Sequence, residues 1–249
     1  MTDAWLTTVP LADLIAPAFF LLAWVGYALY ADRRHDRPNL MRRMHDYRRE
    51  WMRCMLERDN RMVDTQIIAN LMRSASFFAS TTMFIIAGLI AVLGAREQAR
   101  AVLAELPFAV DSAPQLWDFK VLLLVVLFVY AFFKFTWAFR HYNYVLIMVG
   151  AVPSPERITD ASRQVAERIA RIATSTGRHF NGGLRAYYFG LAALSWFIHP
   201  WLFVLLTAWV VWIIYRREFR SRLLKTLAAP EDVATPTDPG DARRREPSS

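Results

Sequence analysis

Among the residues able to do chemistry, those set in apolar surroundings come first. Lys134 lies within the apolar run 119–139, six residues before Arg140. A helix rises 1.5 Å per residue, so its Cα sits roughly 9 Å inside the basic boundary of that run. An ammonium at that depth either reaches back to the headgroups along its four-carbon stem or turns inward to work on a solute path. Arg73, Ser76, Ser80 and Thr81 open a second apolar run, beside Ser74 and Thr82. Their spacing of three to four residues places several of them on one helical face. Together with Lys134 they form a candidate intramembrane polar site. Hydroxyls in such a strip also serve as hydrogen-bonding glue between helices, and Ala87, Ala91 and Ala95 further along allow close backbone approach.

The signatures of soluble enzymes are missing. The chain has no His-Glu-x-x-His, no Gly-x-Ser-x-Gly, no phosphate-binding loop and no paired carboxylates within an apolar run. Cys54 is the single cysteine, which excludes an intrachain disulfide and a cysteine-built metal site. Five scattered histidines give no ligand spacing. We therefore expect no catalytic activity, no cofactor and no metal.

The elements that must carry these residues are set by hydropathy. The 249 residues have a mean hydropathy of only +0.19 because apolar blocks alternate with densely charged loops. Four blocks are apolar enough to enter a bilayer: 14–31, 76–95, 119–139 and 186–215. No Lys or Arg precedes Arg33, so the first block reads as a retained span with its N-terminus outside. The loop 32–64 carries ten arginines against seven acids, which assigns it to the cytoplasm. From 39 onward it turns helical and amphipathic, extending to about 70 with a break expected near Asp59 and Asn60. Trp51 and Met55 lie on its apolar side; Arg42, Arg43, Arg48 and Arg49 make the basic side of a candidate partner or lipid face. Met suits a surface that adapts to partners, but the same pattern describes an amphipathic helix packed on its own protein. A second cytoplasmic amphipathic helix is expected over 154–177, with Ser154 as N-cap, Pro155 at N1 and Gly177 beyond its end.

The last block is read from charge. Arg185 precedes it, and Arg216, Arg217, Arg220, Arg222 and Lys225 follow it. Both ends belong inside, so the chain goes up and returns at His199-Pro200, with arms 186–198 and 201–215 each short of a ~30 Å core. The alternative is four spans with the last one long and kinked. The fold class is thus all-α: a polytopic helical membrane protein of three full spans, a terminal Pro-centred hairpin and two cytoplasmic amphipathic helices. Residues 1–229 form one membrane domain, and 230–249 a disordered tail.

Net charge of +8 is accounted for by positive flanks and anionic headgroups rather than by nucleic acid, because the basic residues border apolar spans. Several stretches together, LMRSASFFAST at 71–81, FKFTWAFRHYNY at 133–144, GAVP at 150–153, RAYYF at 185–189 and YRREFRS at 215–221, resemble the bacterial membrane family catalogued as domain of unknown function 599. The resemblance implies an inner-membrane location and no activity. The expectation is a multi-pass protein of the bacterial inner membrane, N-terminus outside and C-terminus in the cytoplasm, forming homo-oligomers. Its function is expected to be a pore or transporter of a small solute or ion; the alternative is a non-catalytic scaffold binding partners or anionic lipid through its basic helices.

Overall fold

The computed structural model describes residues 10–33, 40–104 and 114–219, and no strand occurs among them. Seven α-helices follow in order: α1 (Leu11–Arg33), α2 (Leu40–Leu56), α3 (Met62–Gly94), α4 (Arg96–Ala104), α5 (Pro114–Gly150), α6 (Asp160–Leu194) and α7 (Pro200–Phe219). Four of them, α1, α3, α5 and α7, are long and apolar enough to cross a membrane. The tail expected to be disordered lies outside the described residues.

Helix lengths explain the layering. At 1.5 Å per residue, α3, α5 and α6 are each roughly 50–55 Å long, whereas a hydrocarbon core is ~30 Å thick. All three project beyond the apolar layer at one end, where α2 joins them. Two cores result. One lies among the apolar spans and contains Phe20, Leu124, Leu127, Phe135, Phe189, Trp196 and Phe203. The other lies beneath α2 and contains Met52, Met55, Ile68, Tyr142, Val149 and Ile169.

Helix α5 lies between α3 and α6, and α1 packs along α7. Close approach of α5 and α6 depends on glycine. A Cβ on Gly183 would fall 2.6 Å from the Phe135 ring, and one on Gly190 would fall 2.8 Å from Phe128. Phe135 in turn stacks on Phe78 of α3, centroids 5.2 Å apart.

Several boundaries differ from the sequence expectation. The two amphipathic regions behave differently. The first does break before α3, leaving α2 at Leu40–Leu56 rather than one helix over 39–70. The second does not end at Gly177: it runs on through the first arm of the hairpin to Leu194. Gly177 is helical there, and Arg48 of α2 crosses over it, 3.0 Å from where a Cβ would stand. The start also moves. Pro155–Arg157 form a single 3-10 turn, and the N-cap of α6 is Thr159, whose side chain accepts from the Ser162 N–H in a capping box. Between the second and third apolar blocks the chain forms α4, and α5 begins at Pro114, ahead of its apolar run.

The terminal block does turn back on itself. A 3-10 turn, Ser195–Phe197, ends α6, and Pro200 opens α7 at a position where a missing N–H is harmless. Arg217 Nη1 donates to the Tyr188 hydroxyl at 2.9 Å, and Arg185 pairs with Glu218 at 3.8 Å, so the two helices run antiparallel. These contacts replace the alternative of one long kinked span. The arms are not short: α7 alone is about 30 Å by helix rise.

Candidate functional site

The residue that most requires explanation, Lys134, is turned inward. It lines a partly open cavity of about 300 Å³ between α1, α5 and α6. Helix α6 supplies Ser175, Arg178, His179, Gly182 and Arg185, which recur every three or four residues and therefore share one face. Helix α1 supplies Trp24, Tyr27 and Ala28, and α5 supplies Tyr130 beside Lys134. Gly182 lies beside the lysine stem; a Cβ there would stand in ordinary contact with it, 3.5 Å from Lys134 Cδ. The ammonium stands 5.3 Å from the centroid of the Tyr130 ring, a cation–π arrangement.

Among the described residues, the charged side chains that line the cavity are basic. Lys134, Arg178 and Arg185 converge with His179 from two helices. Glu218 approaches from α7: it accepts from the Tyr27 hydroxyl at 2.6 Å and pairs with Arg185. Like cations gathered at the edge of a low-dielectric bundle repel one another, and an anion relieves that repulsion.

The other half of the expected polar site is elsewhere. Arg73, Ser76 and Ser80 are exposed on α3, and no α3 residue lines the cavity. Thr81 donates back to the Phe77 carbonyl and Ser74 to the Asn70 carbonyl, each satisfying its hydroxyl within its own helix. Only Thr82 reaches another helix; it is fully buried and shares a hydrogen bond of 2.8 Å with Tyr187. The strip and Lys134 therefore do not form one site.

The face of α2 proposed for partners is largely occupied from within. Met55 is fully buried, and Trp51 donates its indole N–H to Asp64 at 2.7 Å. Asp64, itself fully buried, also accepts from Arg58. Arg49 pairs with Glu167 of α6 at 2.8 Å. That bond holds the Glu167 carboxyl below the ordinary carboxylate range. Arg48 lies over Gly177, and burial lowers its guanidinium from the ordinary arginine value. His45 Nδ1 meets the Thr174 hydroxyl at 2.9 Å. Arg42 stays exposed and Arg43 is half-buried. The apolar side of α2 is thus a contact with the chain's own α6 and α3, which is why its pattern is amphipathic.

At the end of the bundle away from α2, a third polar group joins α1, α5 and the hairpin turn. Asp13 and Lys120 are both buried, 5% and 3% exposed. Asp13 accepts from Trp196 Nε1 at 2.8 Å and lies within electrostatic reach of Lys120, whose ammonium faces the Trp196 ring at 5.4 Å. Sequence reasoning missed this group because both charges stand at the margins of apolar blocks. It missed Arg178 and Arg185 because they were counted with a basic loop; their signal was the helical spacing with Ser175 and Gly182.

Long apolar helices around a central polar one, with a basic cavity between them, define a helical membrane protein. Residues 15–223 match the family described as "Protein of unknown function, DUF599", and the chain belongs to that family. No curated protein and no solved structure matches it.

Proposed function

We propose that the protein is an oligomeric pore or transporter of the bacterial inner membrane, with the Lys134 cavity as its solute-binding place. The single observation behind this reading is a lysine in an apolar span that opens into a cavity already lined by Arg178, Arg185 and His179. An intramembrane ionisable residue facing a cavity marks a solute path. The positive-inside rule, applied to the arginine-rich loops, supports a cytoplasmic α2 end. The wide uncovered face of α3, including Phe77, Phe84 and Ile90, offers room for a second copy. Flux of small anions into proteoliposomes tests the reading. Wild-type protein raises the flux, and Lys134→Met lowers it to that of empty vesicles. Equal flux in both disproves it.

The scaffold reading rests on the outer side of α2. Arg42, Asp46, Tyr47, Glu50 and Arg53 stay exposed there and offer a charged surface to partners or anionic headgroups. Loss of a co-purifying protein or of anionic lipid on charge reversal at Arg42 and Arg53, with no flux from wild type, supports it instead.

A further inference from the structure

We propose that a groove between α6 and α7 seats an acyl chain of an anionic glycerophospholipid, whose phosphate is held at Arg217. This groove is separate from the Lys134 cavity, which opens between α1, α5 and α6.

The groove has a volume of about 240 Å³. Ala192 and Ile214, both buried, form its floor, and Leu191 and Trp209, both exposed, form its walls. Tyr188 stands at the end nearer α2, and Leu206 lies toward the hairpin turn.

Polarity narrows the occupant first. Every lining side chain is apolar except for the Tyr188 hydroxyl. The groove runs along α7, one of the helices apolar enough to cross a membrane, so what it meets there is hydrocarbon rather than water. Width narrows it further. From Leu206 to Ile214 a helix rises roughly 12 Å, so the space has a cross-section of about 20 Å². A helix is ~10 Å across and covers about 80 Å². The groove therefore takes one extended chain and is too narrow for a helix of a second copy.

Charge at one end completes the match. Arg217 Nη1 donates to the Tyr188 hydroxyl at 2.9 Å, which fixes the guanidinium at the mouth of the groove. A guanidinium carries several N–H donors in a fork that suits phosphate oxygens, and this bond uses one of them. Beside it Arg216 lies over the Trp212 ring, 5.4 Å from the centroid. Arginine with tryptophan at the end of an apolar span marks the level of the headgroups. The adjacent acid, Glu218, is engaged with Tyr27 and Arg185 on the cavity side. An apolar slot within the membrane layer thus ends at a guanidinium at headgroup level, which is the layout of an anionic phospholipid.

Binding is measured on the full chain in a neutral detergent by native mass spectrometry, with phosphatidylglycerol and phosphatidylcholine of identical acyl chains. Wild type holds phosphatidylglycerol roughly tenfold more tightly, the scale of one charge-assisted hydrogen bond. The chain-free headgroup, glycerophosphoglycerol, does not bind at the same concentration. Arg217→Gln removes the preference and Arg217→Lys keeps part of it. Arg73→Gln, at an exposed arginine of α3, keeps it whole. Trp209→Ala takes away a wall and weakens both lipids alike by about fivefold, which ~40 Å² of lost apolar contact gives. Arg217 and Trp209 are both exposed, so these replacements spare the fold. Equal affinity for the two lipids, a preference that survives Arg217→Gln, or binding of the chain-free headgroup overturns the proposal. So does Trp209→Ala without effect on either lipid. A changed oligomeric state in Trp209→Ala with lipid affinity intact assigns the groove to a second copy and overturns it as well.

Discussion

Glycine has two roles in α6, and they separate under substitution. Gly183 lies under the Phe135 ring, which is held on its other side by Phe78. Neither ring has space to move, so Gly183→Ala forces α5 and α6 apart. We expect a loss of about 1–3 kcal/mol, the usual scale of overpacking, read as a lowered midpoint in thermal unfolding in detergent. Gly177 meets only the tip of the flexible Arg48 side chain. There Gly177→Ala moves a guanidinium and gains up to ~1 kcal/mol of helix propensity, so its midpoint stays or rises. At the far end, Asp13→Ala removes both the acceptor of the Trp196 indole and a carboxylate within electrostatic reach of Lys120. Breaking such a buried group from one side destabilises by roughly 3 kcal/mol. Adding Lys120→Met to that variant recovers part of the loss, since the ammonium that Asp13 attracts goes too; a strictly additive double variant in the same unfolding assay contradicts the coupling.

At the scale of elements, α2 is held on α6 by a contact that titrates. The Glu167 carboxyl is held below its ordinary value by the Arg49 hydrogen bond. Its contribution is therefore complete above the ordinary carboxylate pKa of about 4, and is lost as pH falls through the lowered folded value. Hydrogen exchange of α2 amides, after correction for intrinsic rates, is expected to stay constant from pH 7 to 5 and to quicken below about 4. In Glu167→Gln the same amides exchange faster at neutral pH and lose that dependence. The spans α1, α3 and α5 were legible in the sequence because they are long apolar runs that no charge pattern obscures. The turn at Pro200 was legible because basic residues on both sides of the block required a return. The continuity of α6 was not legible. Gly177 and the Gly182-Gly183 pair look like terminators in one dimension, whereas the close approach of Arg48 to Gly177 and of Phe135 to Gly183 exists only once three helices are assembled. Half of the candidate site was visible for the same reason: Lys134 stands out in an apolar run, whereas Arg178 and Arg185 stand out only against its position.

For the whole molecule, the bundle has one polar end and one apolar layer, and its orientation is a separate question from its fold. The proposed orientation, argued from charge balance, has α2 in the cytoplasm. In a variant with Cys54 replaced by Ser, a single cysteine at Arg53 is expected to resist a membrane-impermeant maleimide added to intact cells, and one at Gln98 to react. The opposite labelling inverts the protein without altering any contact described above.

The central place of α6 bears on how the protein is made. Its upper half carries Arg185 and three glycines, and it is not among the helices apolar enough to cross a membrane unaided. A helix of this kind enters lipid only when its polar face is already covered. Its covering comes from α5, synthesised before it, and from α7, synthesised after it, whose Glu218 meets Arg185 only near the end of the described chain. Insertion of α6 is therefore expected to wait on α7, the two entering as a hairpin. A chain ending at residue 198 is expected to leave α6 on the side where it was translated, accessible to protease, while α1, α3 and α5 are inserted.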